Sequence, residues 1–441
     1  VGLVGGRAVL NRPNFLPAVL LLTMLPAFLV WRRGGGMYSK QGVVLAVLLT
    51  AGGLFATFMF QGILNFRVSG EFRILPWQGA YNLFAGNHSD ANGRYLVQRV
   101  SFTDIPEGMN PTRMESEYLY REAVGEGVDD SIDAMNAYWR ARLADEVLGE
   151  PVRWLGLMGR KVVYLFNDWE QYNNLSYAYQ KERFDVLRFN PLGWGCLLLG
   201  AFVGLLLGWQ RMDRPRALAL GLLMLAYACG LLLFFVSARF RLPLAPLLCV
   251  FSGGLVFVSF LRLRELGTRR IGFACFGGLL IAFVSFGDWF GAKDRAPFIQ
   301  DEMLLASASL NAGMDRSALK YADAVLARDS DRQEARRVQV ASLFNLWLVA
   351  GESDRREALW SGLQAALAEL TQPDASTYFI RGVVLWRSQN EARAREVWLE
   401  GVARFGSEAN SCAQALQAVG AAQYFEPGDG GVETVADILK R

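Results

Sequence analysis

Six long apolar stretches of this chain contain not one Asp, Glu, Lys or Arg: 15–31, 42–66, 189–210, 217–238, 242–261 and 271–286. A bilayer core about 30 Å thick takes roughly 17–25 apolar residues in a helix. Inside lipid a chain must satisfy its backbone within helices or a closed barrel. The runs therefore predict an all-α chain, a polytopic membrane helical bundle of about six spans. The composition agrees, with 52% hydrophobic and 20% charged residues among 441, a mean hydropathy of +0.20 and a formal net charge of +3. Soluble chains carry about 25% charged residues. This balance excludes a disordered chain, a disulfide scaffold and a nucleic-acid-binding module, so no nucleic acid is expected as a partner.

Charge placement sets an expected orientation, because cytoplasmic loops keep Lys and Arg. Arg32, Arg33 and Lys40 lie between the first two runs, Arg211, Arg214 and Arg216 between the third and fourth, and Arg262, Arg264, Arg269 and Arg270 between the fifth and sixth. All three loops are expected in the cytoplasm. The segment 67–188, the short link at 237–241 and everything after 287 then fall outside. The predicted organisation is two spans over 1–66, an extracytoplasmic loop domain over 67–188, four spans over 189–287 and a soluble extracytoplasmic domain over 288–441. This makes the chain a multi-pass protein of the inner (cytoplasmic) membrane. Residue 1 is Val, and the opening VGLVGGRAVL reads as a helix already under way, so the sequence is expected to be the C-terminal portion of a longer protein. The 15–31 run, followed by Arg32-Arg33 and no small-residue cleavage site, is not a signal peptide.

Four cysteines, Cys196, Cys229, Cys249 and Cys275, fall inside the runs as small apolar residues, and Cys412 stands alone in the tail. With a single histidine, His88, and no CxxC spacing, no protein-built metal site is expected.

The outer segment holds two amphipathic patterns. Over 131–148, Ile132, Met135, Tyr138, Trp139, Leu143 and Val147 recur at helical period. After Pro151, residues 152–166 carry Trp154, Leu157 and Leu165 with the basic Arg153, Arg160 and Lys161. A basic amphipathic helix with aromatics can lie along a membrane interface or pack on a soluble subdomain. Two polar clusters flank these helices: Trp77, Gln78, Asn82 and Asn87 after the second run, and Asp168 and Glu170 before the third. Amides and carboxylates beside aromatics can bind sugar hydroxyls, and the same residue types satisfy their own backbone in loops. Arg239 and Arg241, at the mouth of the fourth and fifth runs, are either anchors that snorkel to headgroups or a phosphate clamp, for which Arg's planar fork is suited.

Taken in order, Arg12-Pro13-Asn14 opening a span, Gly70-Glu71-Phe72, the Gly79, Asn82, Gly86, Asn87 spacing, the Asn167-Asp168-Trp169-Glu170 element ending at Asn173-Asn174, and Arg239-Phe240-Arg241-Leu242-Pro243 with Pro246 resemble a known family. The pattern is similar to the bacterial membrane-embedded glycosyltransferases of the C superfamily, relatives of protein O-mannosyltransferases and aminoarabinose transferases. The resemblance covers about residues 1–290. It implies transfer of a sugar from a polyprenyl-phosphate carrier to an envelope acceptor at the outer face, with inversion at the sugar carbon. It further implies that Arg239 and Arg241, with Arg12 as a third, hold the carrier phosphate, and that Trp77, Gln78, Asn82, Asn87, Asp168 and Glu170 contact sugar or acceptor. The donor would be the polyprenyl-phosphate-linked sugar, with no tightly bound cofactor. The essential acid of the family sits in a first outer loop, expected upstream of residue 1, so this fragment alone is expected to be inactive.

The tail turns soluble and slightly acidic, with 17 Lys+Arg against 21 Asp+Glu over 290–441. Ala306, Gly313, Ala318 and Ala322 match Gly382, Gln389, Ala394 and Trp398, and Gly313, Gly351 and Gln389 are 38 residues apart. Two helices per unit at this period resemble a diverged tetratricopeptide repeat, an α-solenoid with a surface for a protein or glycan partner. A Gly-rich break at 427–431 precedes a short last helix. Two further readings stand beside the transferase: a non-catalytic membrane scaffold that docks proteins through its tail, and an envelope polysaccharide polymerase or ligase.

Overall fold

In the computed structural model the described residues are 1–33, 40–74, 78–94, 110–125, 127, 129–172, 175–190, 192–209, 212–261, 267–351, 354–420, 435, 438 and 439. They are helical throughout, with no strand among them. Trp77, Asn173, Asn174, Arg211, Arg262, Arg264 and the 427–431 break lie outside the described residues. The chain divides into two units, Val1–Asp294 and Arg295–Arg441.

All six apolar runs form helices in the first unit, whose elements are α1 (Gly2–Asn11), α2 (Leu16–Arg33), α3 (Lys40–Ser69), α4 (Gly79–Ala85), α5 (Pro111–Val124), α6 (Ile132–Gly149), α7 (Pro151–Phe166), α8 (Tyr177–Arg183), α9 (Asp185–Arg188), α10 (Trp194–Gly208), α11 (Arg214–Leu232), α12 (Ala238–Arg241), α13 (Ala245–Leu261) and α14 (Thr268–Phe286). Four helical stretches are long and apolar enough to cross a membrane: Gln41–Ser69, Arg214–Leu232, Ala238–Val256 and Thr268–Phe286. Pro13–Met24 and Trp194–Gly208 are shorter apolar helices. The third run is a case where composition overshoots the helix. Asn190 and Gly193 precede α10, which at 15 residues rises about 22 Å, less than the hydrocarbon thickness. The outer surfaces of these helices are apolar, as at Leu48, Leu49, Phe55, Phe276 and Leu279. An all-round hydrophobic helix exposed to water would be an anomaly, and one facing lipid is not.

The two amphipathic patterns between the runs form as the sequence predicts. Ser131 caps α6 by accepting from Ala134 N at 3.2 Å, and Met135 and Trp139 point into an aromatic cluster with Tyr81, Phe84 and Tyr120. Pro151 opens α7, where its missing N–H costs nothing. The outward side of α7 exposes Val152, Leu155, Val162 and Phe166 at helical spacing. Lys161 departs from expectation: it is not one of the outward basic residues but fully buried.

The second unit comprises α15 (Phe298–Asn311), α16 (Asp315–Leu326), α17 (Gln333–Val349), α18 (Asp354–Ala368), α19 (Ala375–Arg387), α20 (Glu391–Phe405) and α21 (Asn410–Ala418). Neighbouring helices pack from α15 to α18 and from α19 to α21, with α19 also packed on α17, and Gly313, Gly351 and Gln389 fall in the turns between members of successive pairs. Gly313 and Gln389 both have positive φ, 69° and 60°. The matched positions Ala306, Ala318, Ala322, Gly382, Ala394 and Trp398 are all buried where helices cross. At Gly382 an added Cβ would sit 2.0 Å from Trp398 Nε1, which donates to Phe379 O at 3.1 Å. Gly382→Ala must displace a fully buried indole and is expected to destabilise this unit by about 1–3 kcal/mol, as overpacking does. Thermal unfolding followed by tryptophan fluorescence checks it.

Candidate functional site

The sequence pattern at residues 11–14 brings α1 to an end at Asn11, and Pro13 opens a short 3-10 turn before α2. This turn lies against α11, where Gly230 leaves room: a Cβ there would meet Asn14 O at 2.7 Å. The close approach places Arg12 beside α12. Its Nη1 donates to Arg239 O at 3.2 Å, its guanidinium carbon stands 5.4 Å from the Phe240 ring centroid, and it reaches the Tyr227 hydroxyl.

These residues form one wall of a cavity of about 620 Å³ in the first unit. Asn11, Arg12, Pro13 and Asn14 line it with Arg73 and Ile74, which follow α3, and with Asn82 and Leu83 of α4. Asp133, Asn136 and Arg140, three and four residues apart on one face of α6, line the opposite side. Phe234, Phe235 and Phe240 supply an aromatic floor. Arg73 is neutralised within the site, pairing with Glu71 at 2.6 Å and Asp133 at 3.4 Å. Arg12 and Arg140 have no carboxylate partner among the described residues; Arg140 donates only to Asn136 O. The cavity thus offers two guanidiniums without carboxylate partners among the described residues, four asparagine side chains and an aromatic surface. Such a set binds an anion joined to hydroxyl-rich and apolar groups.

Of the expected site residues that are among the described residues, Arg12 and Asn82 line this cavity. Gln78 sits at the start of α4, where its carbonyl accepts from Asn82 N at 2.9 Å. Arg239 is exposed, and it enters the wall only through its carbonyl. Arg241 does not line this cavity. Its side chain is fully buried, donating to Asn167 O at 2.5 Å, Trp169 O at 3.0 Å and Tyr164 O at 3.4 Å. It pairs with Glu170 at 3.4 Å and lies 4.7 Å from the Trp194 ring centroid. These contacts turn the guanidinium toward the chain that follows α7 rather than toward the cavity. Asp168 serves the same junction: its Oδ1 accepts from Gly195 N at 2.6 Å at the start of α10, where a negative charge suits the helix dipole. Asp168 and Glu170 therefore anchor the chain rather than face the cavity.

Asn87 also turns inward. Its Nδ2 donates to Leu83 O at 2.8 Å and Leu233 O at 2.7 Å, and its Oδ1 accepts from Trp154 Nε1 at 3.1 Å and Lys161 Nζ at 2.9 Å. The Lys161 ammonium also donates to Leu232 O at 3.1 Å, and burial lowers its pKa to about 7. The missed cavity residues Arg73, Asp133, Asn136 and Arg140 had a readable signal in part. Positions 133, 136 and 140 form a polar stripe flanking the apolar face of α6, a pattern that most solvated helices share.

Among the described residues no group of three or more His, Cys, Asp and Glu side chains converges. No protein-family model matches the chain, and no curated protein and no solved structure shows significant similarity to it.

Proposed function

We propose that the first unit is an integral-membrane glycosyltransferase that takes a sugar from a polyprenyl-phosphate carrier and passes it to an envelope acceptor at the outer face of the membrane. The observation that carries this reading is the cavity lined by Arg12 and Arg140, free of carboxylate partners among the described residues, together with Phe234, Phe235 and Phe240. A phosphate between two guanidiniums would have its developing negative charge stabilised as the sugar leaves. Asn14, Asn82 and Asn136 can orient hydroxyls, and the aromatic floor suits a sugar face or the first isoprene units. The resemblance of the Arg12-Pro13-Asn14 and Arg239-Phe240-Arg241 elements to C-superfamily transferases supports the same reading, with Arg12 and Arg140 as the phosphate-holding pair.

In this reading α7 lies in the headgroup layer, its Val152, Leu155, Val162 and Phe166 stripe toward acyl chains. The second unit is a tetratricopeptide-like solenoid on the outer side that gathers the acceptor or a partner protein, supported by the recurrence of turns at Gly313, Gly351 and Gln389.

The test is binding of decaprenyl phosphate by the full chain in nanodiscs. Arg12→Gln combined with Arg140→Gln is expected to weaken it by about 100-fold, as loss of two charge-assisted contacts at roughly 1.5 kcal/mol each implies, with thermal stability retained. Unchanged binding in the folded double variant would refute the phosphate site.

A further inference from the structure

Several arginines of the second unit pair with carboxylates: Arg328 bonds Glu302, Arg336 bonds Glu369, Arg337 faces Asp374, and Arg393 bonds Glu396. Arg356 and Arg387 instead share one aromatic support. The guanidinium carbon of Arg356, in the first turn of α18, lies 5.0 Å from the Trp347 ring centroid, and that of Arg387, in the last turn of α19, lies 5.1 Å from the same ring. Arg387 is also 5.8 Å from the Trp360 centroid, and the Trp347 and Trp360 rings are 4.9 Å apart. Neither arginine has a carboxylate or hydrogen-bond partner among the described residues. Their proximity is felt electrostatically, since burial and the Arg356 charge together lower the Arg387 pKa.

Cation–π support fixes each guanidinium plane while leaving its N–H donors unspent. Two like charges held together in this way repel, and a bound carboxylate relieves the repulsion while accepting the donors. The half-buried Trp360 and the 80% exposed Val349 at the end of α17 add apolar surface near the charged pair. The segment 290–441 as a whole is acidic in balance, 17 Lys+Arg against 21 Asp+Glu. A net-negative unit is repelled by an anionic bilayer, so the patch fits a discrete acidic segment rather than a lipid surface.

We infer that Arg356 and Arg387, seated on Trp347 and Trp360, form a docking site for an acidic polypeptide segment in which carboxylates alternate with apolar side chains. The inference does not depend on the transferase reading, and its probes never touch the cavity of the first unit.

The experiment uses the full chain in nanodiscs of neutral phosphatidylcholine. Fluorescence anisotropy reads binding of a short labelled peptide alternating glutamate and leucine, against a control alternating glutamine and leucine. The glutamate peptide is expected to bind at least about tenfold more tightly than the control, with affinity falling as salt rises. Arg356→Gln with Arg387→Gln is expected to abolish that preference, and Arg356→Lys with Arg387→Lys to retain part of it. Equal binding of the two peptides, no binding of either, or an unchanged preference in the folded double Gln variant would each overturn the site. If the Gln variant does not fold, the wild-type preference and the Lys variant decide. Preference for phosphatidylglycerol vesicles over the peptide, lost with the same substitutions, would assign the patch to lipid and overturn it too.

Discussion

Arg241→Gln is expected to lower the stability of the first unit by about 3–5 kcal/mol, the range found when one partner of a buried charged network is removed. The guanidinium holds three carbonyls of the chain that leaves α7, at Tyr164, Asn167 and Trp169, together with the Glu170 carboxylate. Glutamine cannot span these acceptors, so buried carbonyls would be left without donors, each at a cost of about 1–3 kcal/mol. Arg239→Gln provides the contrast. That side chain is exposed, and the expected change is within about 0.5 kcal/mol. Thermal unfolding of both variants in detergent, monitored through Trp194 and its neighbours, separates a structural arginine from a surface one. A stable Arg241→Gln protein would show that the burial of this side chain carries little of the fold.

The second large effect concerns pH. Lys161 is fully buried against neutral acceptors, and its pKa falls from the usual 10.5 to about 7. Between about pH 7 and 10.5 the unfolded chain binds a proton here that the folded chain does not, so stability rises as pH rises through this window. The stabilisation is complete above the unfolded value and is lost as pH falls through about 7, with a limiting slope near 1.4 kcal/mol per pH unit. Lys161→Met removes the buried amine. The difference in unfolding free energy between wild type and variant, measured from pH 7 to pH 10, is expected to shrink or reverse by a few kcal/mol in favour of wild type as pH increases. A difference that stays flat over this range would place the Lys161 pKa at its ordinary value.

Arg241 and Lys161 also mark where sequence reading stops. The apolar runs at 42–66 and 271–286 were legible as helices because lipid-facing segments need no partner to declare themselves; their composition alone is the signal. Pro151 at the start of α7 and the small residues at Gly313 and Gly351 were legible because turns and helix starts depend on immediate neighbours. The direction in which an arginine points is not local in this sense. Arg241 turns inward because carbonyls some seventy positions earlier in the chain are presented to it, and nothing within 237–246 announces them. Lys161 is similar, since its acceptors, Asn87 and Leu232, come from both sides of α7 in the sequence. The cavity was half legible for the same reason. Arg12 and Asn82 stand in recognisable clusters, whereas Arg140 becomes relevant only once α6 is packed against α4 through Trp139, 4.8 Å from both Tyr81 and Phe84.

The four residues of α12 face two ways, and this bears on how activity screens are to be interpreted. Arg239 lends its carbonyl to Arg12 and Phe240 its ring to the cavity, while the next side chain, Arg241, is locked into the core. Under the proposed transferase function, a scan that scores only product formation would rank Arg241 beside Arg12 and would credit both to chemistry. Only a parallel reading of folded yield, taken position by position along this one turn, tells a wall from its foundation.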